Sequence, residues 1–188
     1  MKRRPVGILD ACVLIPMPLA DTLLRLAEPP AVFQARWSDD ILREVTRTLE
    51  VRFGKPAGKA LYRESAMRWA FAEALVHDYG ALIADMQCHV KDRHVLAAAV
   101  ACGADFLVTF NLKDFPAHCT AGMPVAVIGP SAFLKMLWRL DGETVAARLA
   151  EQAAAIGVSM EVLLDRLEKL VPGFVAIVRA AADGKGTS

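Results

Sequence analysis

Acidic side chains recur in this sequence at places where strands and helices begin or end. Asp10 ends the apolar run VGIL, Asp114 follows the apolar run FLVTF, and Asp92 opens an apolar helical stretch. Glu44 lies one turn inside another helical segment, beside its apolar stripe rather than opposite it. Carboxylate oxygens are ligands that suit Mg²⁺ and Mn²⁺. If these acids converge, the chemistry they can support is divalent-cation binding and metal-assisted hydrolysis.

Each acid also has a local role that requires no ligand. Asp92 is a good helix cap, and Asp10 and Asp114 suit turns. Glu44 can be a solvated helix residue. Asp92 is the most informative of the four, because it lies on the same helix face as Val95, where burial is expected. Convergence would favour a site over four separate local roles, since carboxylates without a counter-ion repel one another.

Short apolar runs rich in β-branched residues predict the strands that would position these acids. The runs lie at 6–9, 33–37, 106–110 and 124–129, and ALI at 81–83 is a weaker candidate. Helices are predicted from Pro18 to Pro30, from Asp39 to Phe53, from Ala57 to Leu75 and from Asp92 to Cys102, with a loop at 11–18. Strands that alternate with helices predict a three-layer α/β/α fold with a mostly parallel central sheet.

Parallel strands bring the acids to one edge of the sheet. Ligands bind outside the carboxyl ends of such strands, where Asp10, Asn111 and Asp114 follow their strands. Asp92 begins a helix that feeds the next strand, and we place that helix start at the same edge. The sequence therefore predicts one acidic site at the carboxyl edge of the sheet.

The residues after the last predicted strand carry only helical patterns. These are SAFLKMLWRL, ETVAARLAEQAAAI and MEVLLDRLEKLVPGFVAIVRAAA. We therefore divide the chain into an α/β domain at 1–130, a helical C-terminal extension at 131–182 and a disordered tail, DGKGTS, at 183–188.

Composition excludes several classes of protein. The 188 residues are 55% hydrophobic, with a mean hydropathy of +0.34, but they contain no uncharged apolar run long enough to span a membrane. Asp10 interrupts the apolar part of the basic N-terminus, which argues against a signal peptide and predicts a cytoplasmic protein. The four cysteines form no CxxC pair, so reduced thiols are expected rather than a zinc site.

The net charge of +1 conceals an uneven distribution. Between Arg43 and Arg68 there are seven basic and three acidic residues, whereas from Asp141 to Lys169 there are six acids and three bases. Solvated helix faces account for such runs in many proteins. A basic strip near a separate acidic centre also suits a protein that binds a phosphate backbone, with Arg43 and Arg47 on the outer face of Glu44's helix.

The segments ILDACVLIP, SDDILREV and DRHVLAAAVACGADFLVTFNLKDFP, in this order and spacing, resemble the PIN-domain family of ribonucleases. The likeness covers about residues 5 to 130 and is closest to bacterial VapC-type toxins of toxin–antitoxin pairs. The resemblance implies a PIN-like fold that uses four acidic positions to bind one or two Mg²⁺ or Mn²⁺ ions and hydrolyse RNA. It also implies RNA as substrate, with an antitoxin protein and a homodimer as candidate partners.

By the same resemblance, Asp10, Glu44 and Asp92 fill the first three acidic positions. The fourth departs from the pattern, because Asn111 stands where many members have an acid and Asp114 follows three residues later. Glu44 is expected to orient the attacking water or to complete the coordination of the metal, and Thr109 to hold a ligand or phosphate by its hydroxyl. Hydrolysis by this route is expected to leave 3′-hydroxyl and 5′-phosphate ends.

Two other functions compete with a nuclease. A PIN-like RNA-binding or scaffold protein with an impaired centre is supported by the neutral Asn111. A phosphatase of the haloacid-dehalogenase type would require a second acid two residues after the nucleophilic aspartate, but Asp10 is followed by Ala11 and Cys12.

Overall fold

Five parallel strands form the centre of the protein in a computed structural model that describes residues 3–185. They are β1 (Val6–Leu9), β2 (Gln34–Ser38), β3 (Leu75–Val76), β4 (Phe106–Val108) and β5 (Ala126–Ile128), in the order β3-β2-β1-β4-β5. Every residue of β1 is buried, as expected for the middle strand of a covered parallel sheet. The fold is the predicted three-layer α/β/α, PIN-like arrangement with additional C-terminal helices.

Ten α-helices accompany the sheet in the described residues. They are α1 (Ala11–Leu14), α2 (Met17–Ala27), α3 (Asp39–Val51), α4 (Ala57–Ala70), α5 (Arg93–Ala101), α6 (Ala117–Thr120), α7 (Pro130–Leu140), α8 (Gly142–Ala155), α9 (Met160–Glu168) and α10 (Pro172–Lys185). Short 3₁₀ helices lie at Ala72–Ala74, Gly80–Asp85 and Leu112–Asp114. None of the described helices is both long enough and apolar enough to cross a membrane.

The sequence prediction was wrong at several places in the first 130 residues, and it did not contain α6. The loop predicted at 11–18 contains α1 and the start of α2, and the helix predicted to Leu75 ends at Ala70. The backbone of Phe71 leaves the helical region there (φ −129°, ψ 54°), and the chain then enters β3, which the sequence did not reveal. The strand predicted at 81–83 is part of a 3₁₀ helix.

The C-terminal helices pack onto the α/β layer through a continuous hydrophobic core. Phe133 of α7 contacts Phe33 and Phe106 edge-on, at ring-centroid distances of 5.1 and 5.8 Å. A Cβ atom on Gly7 would lie 3.2 Å from the Phe133 ring, so the absence of a side chain in β1 makes room for α7.

A buried polar contact adds a second link between the helices and the α/β layer. The Thr22 hydroxyl of α2 donates to Gln152 Oε1 of α8 at 2.7 Å, and Gln152 Nε2 donates to the Pro18 carbonyl at 2.9 Å. The last predicted helical segment is two helices, because Pro172 begins α10. Residues 183–185 of the predicted disordered tail belong to α10, and residues 186–188 lie outside the described part.

Candidate active site

Adjacent central strands place Asp10 and Thr109 side by side. Leu9 and Val108 are register partners in β1 and β4, and the Asp10 amide donates to the Val108 carbonyl at 3.1 Å. Each of the two residues follows its strand directly, so both side chains emerge at the carboxyl edge of the sheet. Asp10 is only 6% exposed and Thr109 is fully buried.

Two donors fix one oxygen of the Asp10 carboxylate. The Thr109 hydroxyl donates to Asp10 Oδ2 at 2.6 Å, and the Cys12 thiol donates to the same oxygen at 3.1 Å. Burial, followed by the charge of Asp10, raises the pKa of the Cys12 thiol to about 12, so the thiol stays protonated at neutral pH. Asp10 Oδ2 therefore accepts both hydrogen bonds, and these fix the position of the buried carboxylate.

Asp92 occupies the N-cap position of α5 but does not act as a cap. Its carboxylate accepts no capping hydrogen bond from the described backbone amides. The side chain instead lies 3.9 Å from His89 Nδ1. Capping therefore does not explain the acid at this position.

The acids are close enough to act on one another electrostatically. Partial burial, then the charges of Asp114 and Asp10, raises the pKa of Asp92. Partial burial, then the charges of Asp10 and Asp92, raises the pKa of Glu44, although this side chain is 52% exposed. Burial is the larger cause of each rise in pKa and the neighbouring carboxylates add to it, so a bound cation would favour the ionised form of both acids.

Asn111 and Asp114 follow β4 on a short turn. The Asn111 amide donates to Thr109 Oγ1 at 3.0 Å, and the Asp114 amide donates to the Asn111 carbonyl at 2.9 Å. The charge of Asp114 adds to the raised pKa of Asp92, whereas Asn111 is neutral and can offer only its side-chain carbonyl oxygen. The turn thus supplies a fourth carboxylate three residues beyond the neutral Asn111.

An open groove of about 1290 Å³ runs from these acids along α3. We call it the acidic groove; its lining includes Glu44, Asp92, Asn111, Asp114, Arg47 and Arg52. Asp10 lies outside the lining because it is buried. His89, Lys91 and His94 also line the groove, and the sequence reading did not select them as site residues. The sequence signal that could have indicated these three residues is that each lies within three positions of Asp92.

The basic strip is partly neutralised by local contacts. Arg43 pairs with Asp40, and Arg68 pairs with Asp39 and Glu64. Arg63 donates to the carbonyls of Leu14 and Ile15, where it ties α4 to the region of α1.

Arg47 differs from Arg43, the other arginine selected from the sequence. It is exposed, lines the acidic groove and forms no ion pair with the described residues. Of the two arginines selected from the sequence, Arg47 therefore has the freer charge for a polyanion.

The donor set fits a hard divalent cation in its chemistry. Four carboxylates lie at the carboxyl edge of the sheet, where their negative charges disfavour one another. Carboxylate oxygens are ligands that suit Mg²⁺ or Mn²⁺. Within residues 3–185, however, no three His, Cys, Asp or Glu side chains are gathered closely enough to form a ready metal cluster.

The parallel sheet and the acids at its carboxyl edge define a PIN-like α/β protein with an acidic groove. A protein of Mycobacterium tuberculosis (strain ATCC 25618 / H37Rv), described as "Putative ribonuclease VapC50", is 36% identical over 136 residues, which are 71% of this chain and 79% of that protein. The chain therefore belongs to the VapC family. No protein-family model and no solved structure matches it.

Proposed function

We propose that this protein is a metal-dependent endoribonuclease that hydrolyses RNA phosphodiester bonds, and that it is the toxin of a toxin–antitoxin pair. The observation that carries the proposal is that Glu44, Asp92 and Asp114 line one groove together with Arg47. Asp10 lies near enough for its charge to add to the raised pKa of both Glu44 and Asp92. The similarity to a protein described as a ribonuclease supports RNA as the substrate. Membership of the VapC family supports an antitoxin protein as a partner.

Asp10, Asp92, Glu44 and Asp114 would hold one or two Mg²⁺ or Mn²⁺ ions. Such an ion, when bound, polarises a phosphoryl oxygen and lowers the pKa of a coordinated water. Asp114 rather than Asn111 supplies the fourth negative charge in this proposal, because its charge acts on Asp92. The neutral Asn111 therefore does not by itself impair the centre.

The remaining polar residues orient the reactants. Glu44 is exposed to the groove and can accept a proton from the attacking water or hold it by a hydrogen bond. Thr109 keeps Asp10 in place through its hydroxyl. Arg47 and Lys91 meet the phosphates of an RNA strand lying along the groove, and cleavage leaves 3′-hydroxyl and 5′-phosphate ends.

We expect purified protein to cleave RNA with Mn²⁺ and to leave it intact with EDTA. End-labelled oligoribonucleotides and total RNA, resolved on denaturing gels, would measure the cleavage and identify the ends. Asp10→Asn should abolish it, since the buried carboxylate loses its charge. RNA that stays intact with both Mg²⁺ and Mn²⁺, but is bound by the protein, would instead support an RNA-binding scaffold.

We expect Arg43→Glu with Arg47→Glu to weaken RNA binding and to reduce its dependence on salt. Fewer counterions leave the RNA when fewer cations contact it, so the negative slope of log affinity against log salt should become shallower by about 1–2. Fluorescence anisotropy with a single-stranded oligoribonucleotide measures this slope, in an Asp92→Asn background that keeps the RNA intact.

Arg166→Glu is the matched control for this charge reversal, because Arg166 is exposed on α9 and does not line the acidic groove. It should leave the slope unchanged. Equal slopes in the Asp92→Asn background, in the Arg43 and Arg47 variant and in the Arg166→Glu control would show that the RNA does not bind along α3.

A further inference from the structure

The thiol of Cys12 joins the buried acid to the loop that follows β4. It donates to Asp10 Oδ2 at 3.1 Å and accepts a hydrogen bond from the Phe110 amide at 3.2 Å. Thr109 makes a parallel connection, since its hydroxyl donates to the same carboxylate oxygen and accepts from the Asn111 amide. Cys12 of α1 and Thr109, which follows β4, thus connect Asp10 to two successive amides of one loop.

The hydrogen atoms available in this group are each used once. The Thr109 hydroxyl hydrogen and the Cys12 thiol hydrogen both go to Asp10 Oδ2, and the two loop amides go to the sulfur and to the hydroxyl oxygen. No hydrogen is left for the 3.3 Å contact between Cys12 Sγ and Thr109 Oγ1. No hydrogen bond from the described residues reaches Asp10 Oδ1, so Oδ1 is the oxygen that stays available.

We infer that Cys12 is a positioning residue that turns Oδ1 of Asp10 towards an incoming cation and holds the loop carrying Asn111 and Asp114 beside it. The part that concerns the cation rests on the proposed function. Without the thiol, the carboxylate has one donor fewer and the Phe110 amide loses its acceptor. Both changes allow Asp114, the fourth acid of the proposed site, to move relative to Asp10.

A hydroxyl can replace the thiol in this role, but a methyl group cannot. Serine carries one donor hydrogen and accepts through oxygen, whereas alanine can do neither. Partners that orient a metal ligand typically contribute about 10- to 100-fold to metal affinity. We therefore expect Cys12→Ala to bind Mn²⁺ about tenfold or more weakly, and Cys12→Ser to stay within about threefold of the wild type.

The first test is the exchange rate of individual backbone amides, measured by NMR on metal-free protein. Loss of one hydrogen bond should speed exchange of the Phe110 amide roughly five- to tenfold in Cys12→Ala. The Asn111 amide, which is bonded to Thr109, should change less, and Cys12→Ser should restore the slow rate at Phe110. The second test is Mn²⁺ affinity, measured from the free-ion signal in electron paramagnetic resonance.

Cys102→Ala is the matched control, because that half-buried thiol donates to the Ala99 carbonyl at the far end of α5. It should change neither the amide exchange rates nor the Mn²⁺ affinity.

Unchanged exchange at Phe110 in Cys12→Ala overturns the inference. An equal change in exchange and in Mn²⁺ affinity in Cys12→Ala and Cys12→Ser also overturns it. If the wild type itself binds no Mn²⁺ and cleaves no RNA, the proposed function fails, while the exchange rates still decide whether Cys12 holds the loop. If Cys12→Ala does not fold, failure of Cys12→Ser to preserve exchange and affinity overturns the inference.

Discussion

With Mn²⁺ present, Asp92→Asn should lose both RNA cleavage and most of the stabilisation that the ion gives to the wild type. An ion at a hundredfold excess over its dissociation constant stabilises the folded state by about 2.7 kcal/mol. For a protein of this size, that corresponds to a rise in Tm of roughly 5–11 °C. The variant should gain much less, and cleavage should fall by about 100-fold or more, since one of the acids that hold the ion has lost its charge.

Without metal, the same variant should melt at the same temperature as the wild type or higher. The pKa of Asp92 is raised from its ordinary value of 3.8 by partial burial and by the charges of Asp114 and Asp10. A carboxyl group with a raised pKa opposes folding most strongly when it is ionised. The higher stability of Asp92→Asn relative to the wild type should therefore be fully present above the raised pKa. It should disappear as the pH falls to 3.8 and below.

Asp85→Asn is the control for the loss of one carboxylate, because Asp85 is exposed and does not line the acidic groove. It should respond to Mn²⁺ as the wild type does. Thermal melts of the three proteins with Mn²⁺ and with EDTA make the measurement. An equal Mn²⁺-induced rise in Asp92→Asn and in the wild type would remove Asp92 from the proposed metal ligands.

Sequence reasoning predicted the fold where local patterns and packing agree. The run VGIL forms the buried strand β1, and the first three residues of FLVTF form the neighbouring strand β4, in which Leu107 and Val108 are buried. The strand predicted to Phe110 ends two residues earlier, and Phe110 is exposed. β3 escaped prediction because two residues are too few to show alternation, and the preceding helical pattern continues almost to its start. The segment at 81–83 has the composition of a strand, but its backbone forms a 3₁₀ helix.

The candidate site could be anticipated in its acids but not in its contacts. The topology of a parallel sheet was enough to bring Asp10 and the loop after β4 to one edge. The choice between Asn111 and Asp114 for the fourth position stays a prediction, because both residues line the acidic groove and only Asp114 is charged. The role inferred for Cys12 was equally hidden, because Thr109, which it contacts, and Phe110, whose amide donates to its sulfur, are 97 and 98 positions away in sequence.

The largest effect on stability should come from Phe133→Ala, at the contact between α7 and the sheet. Phe133 is fully buried and packs against Phe33, Phe106 and the bare backbone of Gly7. Truncation of a buried phenylalanine costs about 3–5 kcal/mol through lost burial and the cavity left behind. Urea denaturation followed by fluorescence and by circular dichroism measures this loss.

The same experiment tests whether residues 131–182 form a unit separate from the α/β domain. If α7 completes the core, the two signals should report one transition at a lower urea midpoint, because the sheet loses its cover together with the helix. Phe53→Ala is the matched control; Phe53 is 53% exposed, and its removal should change stability by about 0.5 kcal/mol or less. Two separate transitions in Phe133→Ala, with the second at the wild-type midpoint, would show that the helical extension unfolds without the sheet and is an independent appendage.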